Sequence, residues 1–423
     1  MRGLIRLYRF LLVEHRSLTA VTIVFFVSLI VAFSTGFWLV SRLAYVILIG
    51  VPLAYVWSRW NLRGLEVTVE RHMDRLQAGQ LFEERITVEN RSWFNKLWLE
   101  VDDPSELAGH RARRVLALGP RRRRRWKVAT PCARRGLFWV GPVTVIAGDP
   151  FGLFRHRRRF GRRQSVLVYP RAVELPNFYV PPANLPGEGR FRRRTHYVTP
   201  NASGIRPYEY GDSFNRIHWP STARTGEIMV KLFELDPASD IWVILDLQES
   251  VHVGEGDDST EEYGVCIAAS VVRFFLMANR SVGYMAYGSR LDLEEAERGV
   301  QHYTRILEAL ALARAEGDVP LENLINAEGR RFGRHTTVVV ITSSTDEAWV
   351  AALGALAGRG AKLAVILLEP STFDEAAADS LLVFGALAAS DVYTYLVKRS
   401  DDLMSALAGG VEAPVSAASR GMR

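Results

Sequence analysis

The chain has 423 residues, 48% of them apolar and 23% charged. It is too long for one hydrophobic core and too apolar for a disordered polymer. The net charge of +7 conceals an asymmetry: residues 1–235 hold 38 Lys and Arg against 18 Asp and Glu, whereas residues 236–423 hold 15 against 28. Two distant cysteines, Cys132 and Cys266, offer neither a zinc spacing nor a disulfide framework, and such usage suits a reducing compartment.

Between Ser17 and Trp57, Arg42 is the only charged side chain. About 20 apolar residues cross a bilayer, so this run predicts two helices, Leu18–Phe33 and about Phe37–Trp57, joined at Ser34-Thr35-Gly36. Ala32-Phe33-Ser34 has the small-x-small form of a signal-peptide cleavage site, but a second apolar segment follows at once. Arg2, Arg6, Arg9 and Arg16 precede the hairpin, and Arg59 and Arg63 follow it. The positive-inside bias therefore predicts an inner-membrane protein with two helices and both termini in the cytoplasm. Residues 1–63 form this first region.

Residues 64–170 change to period-two patterning, as in Leu65–Glu70 and Glu84–Glu89, followed by short runs at Leu97–Val101, Trp126–Thr130, Leu137–Val140 and Val143–Ile146. Alternation with closely spaced turns predicts an antiparallel β-sandwich. This unit concentrates positive charge in two runs, Arg121–Arg125 and Arg155–Arg163. Such runs suit an anionic lipid surface, with nucleic acid as the alternative. The membrane hairpin just upstream and the lack of interleaved stacking aromatics favour lipid.

Two motifs are more specific. The first runs Ala133-Arg134-Arg135-Gly136-Leu137-Phe138-Trp139-Val140-Gly141-Pro142, then Asp149-Pro150-Phe151-Gly152 and Val168-Tyr169-Pro170-Arg171. The second runs from Gly204 to Trp219 (GIRPYEYGDSFNRIHW) and on through Ala223-Arg224-Thr225-Gly226 to Glu234. Together they closely resemble the bacterial "domain of unknown function 58" family. The resemblance covers almost the whole chain. It implies membrane anchoring, a von Willebrand factor A-like domain after the second motif, and association with MoxR-type AAA+ ATPases and transglutaminase-like membrane proteins.

Within the second motif, Arg206, Tyr208, Gly211, Asp212, Arg216, Trp219 and Arg224 are the candidate site residues. Pro207 and Gly211 mark an irregular loop. Guanidinium forks among Glu209, Asp212 and Glu234 suit bidentate pairs. The motif reads as a clasp inside the 171–235 linker or as a partner surface. Gly211-Asp212-Ser213 looks like a hydrolase nucleophile segment but lacks an oxyanion partner, and no phosphate-cradling G-x-x-x-x-G-K-[ST] is present.

From Ile241 the pattern becomes α/β. Strands at Ile241–Leu245, Ser281–Tyr287, Thr336–Ile341, Lys362–Leu368 and Val392–Val397 alternate with helices at Glu261–Met277, Gln301–Ala315, Asp346–Leu356, Glu375–Leu387 and from Asp401. Alternation of this kind predicts a doubly wound, mostly parallel sheet over residues 236–408, with 409–423 as a flexible tail. The von Willebrand A resemblance implies a Mg²⁺ site at D-x-S-x-S. Here Asp246-Leu247-Gln248-Glu249-Ser250 has Gln248 at the first serine position, and Thr342-Ser343-Ser344 lacks the expected aspartate. Asp246, Gln248 and Ser250 therefore read as a degraded metal site, and no cofactor is expected unless it retains Mg²⁺. The acidic loop Glu255–Glu262 reads as an exposed helix start. With no complete nucleophile–base signature, the expected function is that of a non-enzymatic, membrane-anchored adaptor.

Overall fold

A computed structural model describes residues 16–72, 75–181, 202–208, 217–233 and 240–409. The chain divides into two compact units, residues 1–169 and 170–423.

The first unit opens with helices α1 (Arg16–Thr35) and α2 (Trp38–Asn61), both long and apolar enough to cross a membrane. Large apolar side chains such as Ile23, Phe26, Ile30, Val46 and Ile49 are exposed along them. The end of α2 is tied to the β structure that follows. The Asn61 amide donates to the Leu97 carbonyl at 2.6 Å, and Lys96 Nζ donates to the Trp60 carbonyl at 2.8 Å. Burial of Lys96 pushes its ammonium down.

Nine antiparallel strands follow: β1 (Leu65–Arg71), β2 (Leu81–Asn90), β3 (Lys96–Asp102), β4 (Arg114–Leu118), β5 (Arg123–Pro131), β6 (Gly136–Val140), β7 (Val143–Gly148), β8 (Arg155–Phe160) and β9 (Gln164–Val168). They form a three-stranded sheet β1-β2-β5, a four-stranded sheet β4-β3-β7-β8 and the pair β6-β9. One core draws Ile86 and Val88 from the first sheet and Leu99, Val101, Val143 and Val145 from the second. Strand β8 is unexpected, because its sequence RHRRRF has no apolar alternation. It pairs with β7 along its full length at the sheet's edge. There the backbone bonds inward while exposed arginines discourage a further strand.

In the second unit, residues 170–181, expected as the start of a linker, lie against the α/β fold. Leu175 and Phe178 are buried, and the Phe178 ring stacks on Tyr395 at 5.2 Å. The linker also holds a hairpin, β10 (Ala202–Pro207) with β11 (Met229–Phe233), and helix α3 (Trp219–Thr225).

Residues 240–409 form a six-stranded sheet: β12 (Asp240–Asp246), β13 (Val282–Tyr287), β14 (Leu291–Glu297), β15 (Thr336–Thr342), β16 (Lys362–Leu368) and β17 (Tyr393–Val397). Their order is β14-β13-β12-β15-β16-β17, all parallel except β14. The helices are α4 (Thr260–Met277), α5 (Val300–Leu312), α6 (Leu321–Glu328), α7 (Ala348–Gly358), α8 (Leu381–Ala389) and α9 (Leu403–Ala406). Trp242, Val338, Val340, Val365 and Leu367 pack with α6, α7 and α8 on one face. A Cβ on Gly283 would lie 2.7 Å from the Trp242 ring, so glycine is needed there.

Sequence reasoning misses β14 and α6. Strand β14 (LDLEEAE) is an acidic edge strand, and its charge hides it as arginine hides β8. The helix expected from Glu375 begins only at Leu381. Glu369 holds the preceding loop by accepting from Ser371 Oγ at 2.8 Å and from the Ser380 side chain and backbone.

Candidate functional site

The order of the six strands reverses between β12 and β15, the point outside which open α/β sheets bind ligands. A cleft of about 390 Å³ lies there, lined among others by Gln248, Ser250, Glu322, Ser343, Ser344 and Asp346.

Asp246 closes β12 and is buried. Its Oδ2 accepts from Thr342 Oγ1 at 2.7 Å and its Oδ1 from the Gln248 backbone N–H at 3.1 Å. Burial pushes this carboxyl up, against the opposing pull of Thr342, His252 and Gln248. The Gln248 amide donates to Ser250 Oγ at 2.7 Å, so these two candidate ligands close on each other. Ser343 Oγ donates to the Val251 carbonyl at 2.7 Å. Asp346 Oδ1 accepts from the Ala348 N–H at 3.0 Å, at the start of α7. A hard divalent cation needs several oxygen ligands. Of Asp246, Gln248 and Ser250, only Asp246 is anionic, and both its oxygens are engaged.

Sequence reasoning missed His252. His252 Nε2 lies 3.0 Å from the Asp246 carbonyl oxygen and Nδ1 lies 3.1 Å from Thr260 Oγ1. Both ring nitrogens thus hydrogen-bond within the protein, and Thr260, the hydroxyl beside Nδ1, is buried. The cleft offers amides and hydroxyls on its walls and carboxylates at Glu322 and Asp346. Such a lining can hydrogen-bond a polar segment of another molecule.

The acidic loop carries a short 3₁₀ turn, Gly256–Asp258, and then the Ser259 cap of α4, whose hydroxyl accepts from the Glu262 N–H at 3.2 Å. Asp258 pairs with Arg399 at 2.8 Å.

Of the signature residues, Arg206 is the penultimate residue of β10 and Tyr208 follows the strand, its N–H donating to the Ile228 carbonyl at 2.8 Å. Arg206 Nη1 donates to the Pro207 carbonyl at 3.0 Å. Trp219 opens α3 and is 67% exposed, and Arg224 lies in its last turn. The hairpin brings these two elements together through the His218 N–H, which donates to the Met229 carbonyl at 2.8 Å. Gly211, Asp212 and Arg216 lie outside the described residues.

In the first unit, exposed Trp57, Trp60, Trp93 and Phe94 gather where α2 ends, with the Trp60 and Phe94 rings 5.3 Å apart. The Arg121 guanidinium lies 6.0 Å from the Trp93 ring. Aromatics beside arginines suit a membrane interface.

Residues 204–376 match the family described as "Protein of unknown function DUF58". The chain is similar to "Uncharacterized protein YeaD" of Bacillus subtilis, 24% identical over 356 residues that cover 81% of this chain and 85% of that protein. It is also similar to "Uncharacterized protein Rv1480" of Mycobacterium tuberculosis, 28% identical over 174 residues, or 39% of this chain and 54% of that one. Among solved structures, a von Willebrand factor type A protein from Catenulispora acidiphila gives a TM-score of 0.26 at 11% identity, over 43% of this chain and 42% of that one. The CARDB domain of PF1109 from Pyrococcus furiosus gives 0.19 at 12%, over 25% and 94%. Likeness at these scores carries no weight for this chain.

Proposed function

We propose that this chain, whose residues 204–376 match the DUF58 family, is a non-enzymatic adaptor anchored in the inner membrane. In this reading a helical hairpin and a basic β-sandwich present a doubly wound, von Willebrand A-like domain to a cytoplasmic partner. The family resemblance points to a MoxR-type AAA+ ATPase as that partner, with a transglutaminase-like membrane protein alongside.

The cleft at the switch point carries this reading. Its amide, hydroxyl and carboxylate lining, from Gln248, Ser250, Ser343, Ser344, Glu322 and Asp346, suits hydrogen bonding to a partner's polar segment. The exposed aromatics and arginines around the end of α2 support the membrane assignment.

The test is co-purification of the ATPase with the full-length protein from solubilised membranes. Ser250 and Ala378 line the cleft and are exposed, so Ser250→Trp and Ala378→Trp should block it without disturbing the core. Loss of the ATPase from both variants is the expected outcome. Retention in both would move the partner surface elsewhere, and the exposed Trp219 and Arg224 of the signature hairpin would be the next candidates. A reporter active only outside the cytoplasm, fused after Arg63, should stay silent. Strong activity would reverse the topology and remove a cytoplasmic partner.

A further inference from the structure

A second constellation lies far from the cleft in sequence, inside the β unit. Glu84 sits on β2, in phase with the inward-facing Phe82, Ile86 and Val88. Asp103 follows the last residue of β3, and His110 lies in the loop before β4. Their side chains are almost wholly buried: 0% exposed for Glu84 and Asp103 and 4% for His110. One ligand atom from each lies within 4.8 Å of the others. Three buried atoms here, Glu84 Oε1, Asp103 Oδ1 and His110 Nε2, have no hydrogen-bond partner.

The surrounding groups hold the opposite atom of each residue and leave these three pointing at one another. Arg71 Nε donates to Glu84 Oε2 at 3.3 Å and Arg71 Nη2 to Asp103 Oδ2 at 2.5 Å. Arg71 itself is fixed by Gln164 Oε1, 2.6 Å from its Nη1. Gly141, at φ +74°, lets the guanidinium in, since a Cβ there would stand 3.0 Å from Nη2. On the far side of the imidazole, His110 Nδ1 lies 2.8 Å from Thr130 Oγ1 of β5. A neutral imidazole donating from Nδ1 presents a bare Nε2 lone pair to the two carboxylates.

Arg71 balances one of the two buried carboxylates, so the second must be neutralised by a proton or by another cation. A single proton satisfies at most two of the three orphan atoms. Shared between the carboxyls, it leaves His110 Nε2 bare; placed on Nε2, it leaves Asp103 Oδ1 without a partner. A divalent cation satisfies all three at once. Glu84 Oε1 and His110 Nε2 are 3.5 Å apart, close to the roughly 3.3–3.5 Å that separates two ligands of one tetrahedral ion with bonds of about 2.0–2.2 Å.

We propose that Glu84, Asp103 and His110 bind a divalent transition-metal ion, Zn²⁺ by preference, that ties β2 of one sheet to the end of β3 in the other. Imidazole with two carboxylates is a donor set for Zn²⁺ rather than for Mg²⁺ or a soft monovalent ion. Three protein ligands leave a fourth place for water or another donor. Arg71 and Thr130 are positioning residues, each holding a ligand by its other polar atom, as outer-shell partners do. This assignment is independent of the adaptor reading.

The test uses the full-length protein in detergent, stripped with a chelator and then given Zn²⁺ or Co²⁺ alone. About one Zn²⁺ per chain should survive desalting, and Co²⁺ should give the strong visible absorption of a four-coordinate site. His110→Gln and Asp103→Asn should each abolish both signals while circular dichroism stays unchanged. Thr130→Val should weaken Zn²⁺ binding about 10-fold or more without removing a ligand. Should a variant fail to fold, the Co²⁺ spectrum of the unmodified protein still decides. No retained Zn²⁺, no visible band, or binding unaffected by His110→Gln would each overturn the proposal.

Discussion

Asp246 at the end of β12 and the pair formed by Glu84 within β2 and Asp103 just after β3 are all buried acids, but their surroundings differ. Asp246 is closed: Thr342 and the Gln248 backbone take one oxygen each. Glu84 and Asp103 are half open: Arg71 takes one oxygen of each, and the other is left facing His110. The first arrangement neutralises a carboxylate with fixed dipoles and needs nothing more. The second leaves demand for a cation. Burial of an acid is therefore a poor guide to metal binding, whereas the number of oxygens already spoken for is a good one.

The strongest way to break this comparison is to remove the Arg71 guanidinium, which pairs with both Glu84 and Asp103. Arg71→Met should cost about 3–5 kcal/mol, the usual penalty for stranding one side of a buried pair. Hydrogen exchange at β2 amides, with β12 amides as the internal control, would read it. A loss below about 1 kcal/mol would mean that the carboxylates find their partners elsewhere.

The next effect is the metal's. Zn²⁺ at about 100 times its dissociation constant should slow exchange in β2 by the equivalent of about 2.7 kcal/mol. Acidity sharpens this. Burial, and then repulsion from Asp103, pushes the Glu84 carboxyl up to about 8, against the pull of Arg71. Burial pushes the facing His110 down, against the opposing pull of Asp103. The folded chain thus holds a proton on Glu84 more tightly than the unfolded chain, where the value is 4.5. The metal-free protein should then have this stabilisation in full below about pH 4.5 and lose it as the pH rises through about 8. With Zn²⁺ the trend should reverse, because the ion competes with that proton.

A smaller effect is expected at the closed site. Thr342→Val strands Asp246 Oδ2 and should cost about 1–3 kcal/mol, read at β12 amides and equal in Mg²⁺ and in chelator. If Mg²⁺ rescued this variant, Asp246 would be open after all. The smallest effect is that of Mg²⁺ on the unmodified second unit. A dissociation constant above the working concentration limits it to less than about 0.4 kcal/mol, visible as an unchanged melting transition.

Much of the architecture is legible in the residues themselves. Two long apolar runs announce α1 and α2, each long and apolar enough to cross a membrane. Buried runs such as Ile241–Leu245 and Lys362–Leu368 announce the parallel strands, which must be apolar on both faces. Among the strands that escape are β8 and β14, edge strands whose exposed faces are charged, so pairing rather than burial makes them strands. Asp246 at the end of an apolar run, with Gln248 two residues on, could be read directly. The inward charge of Glu84 was also readable from its phase with Ile86 and Val88, but an isolated buried acid announces no ligand. Only the tertiary structure brings Asp103 and His110 to it, places Arg71 and Thr130 behind them, and leaves three atoms unpaired. Sequence periodicity reports which way a side chain faces within its own strand. It cannot report which atoms of other strands meet it there, because that depends on how two sheets pack across a shared core.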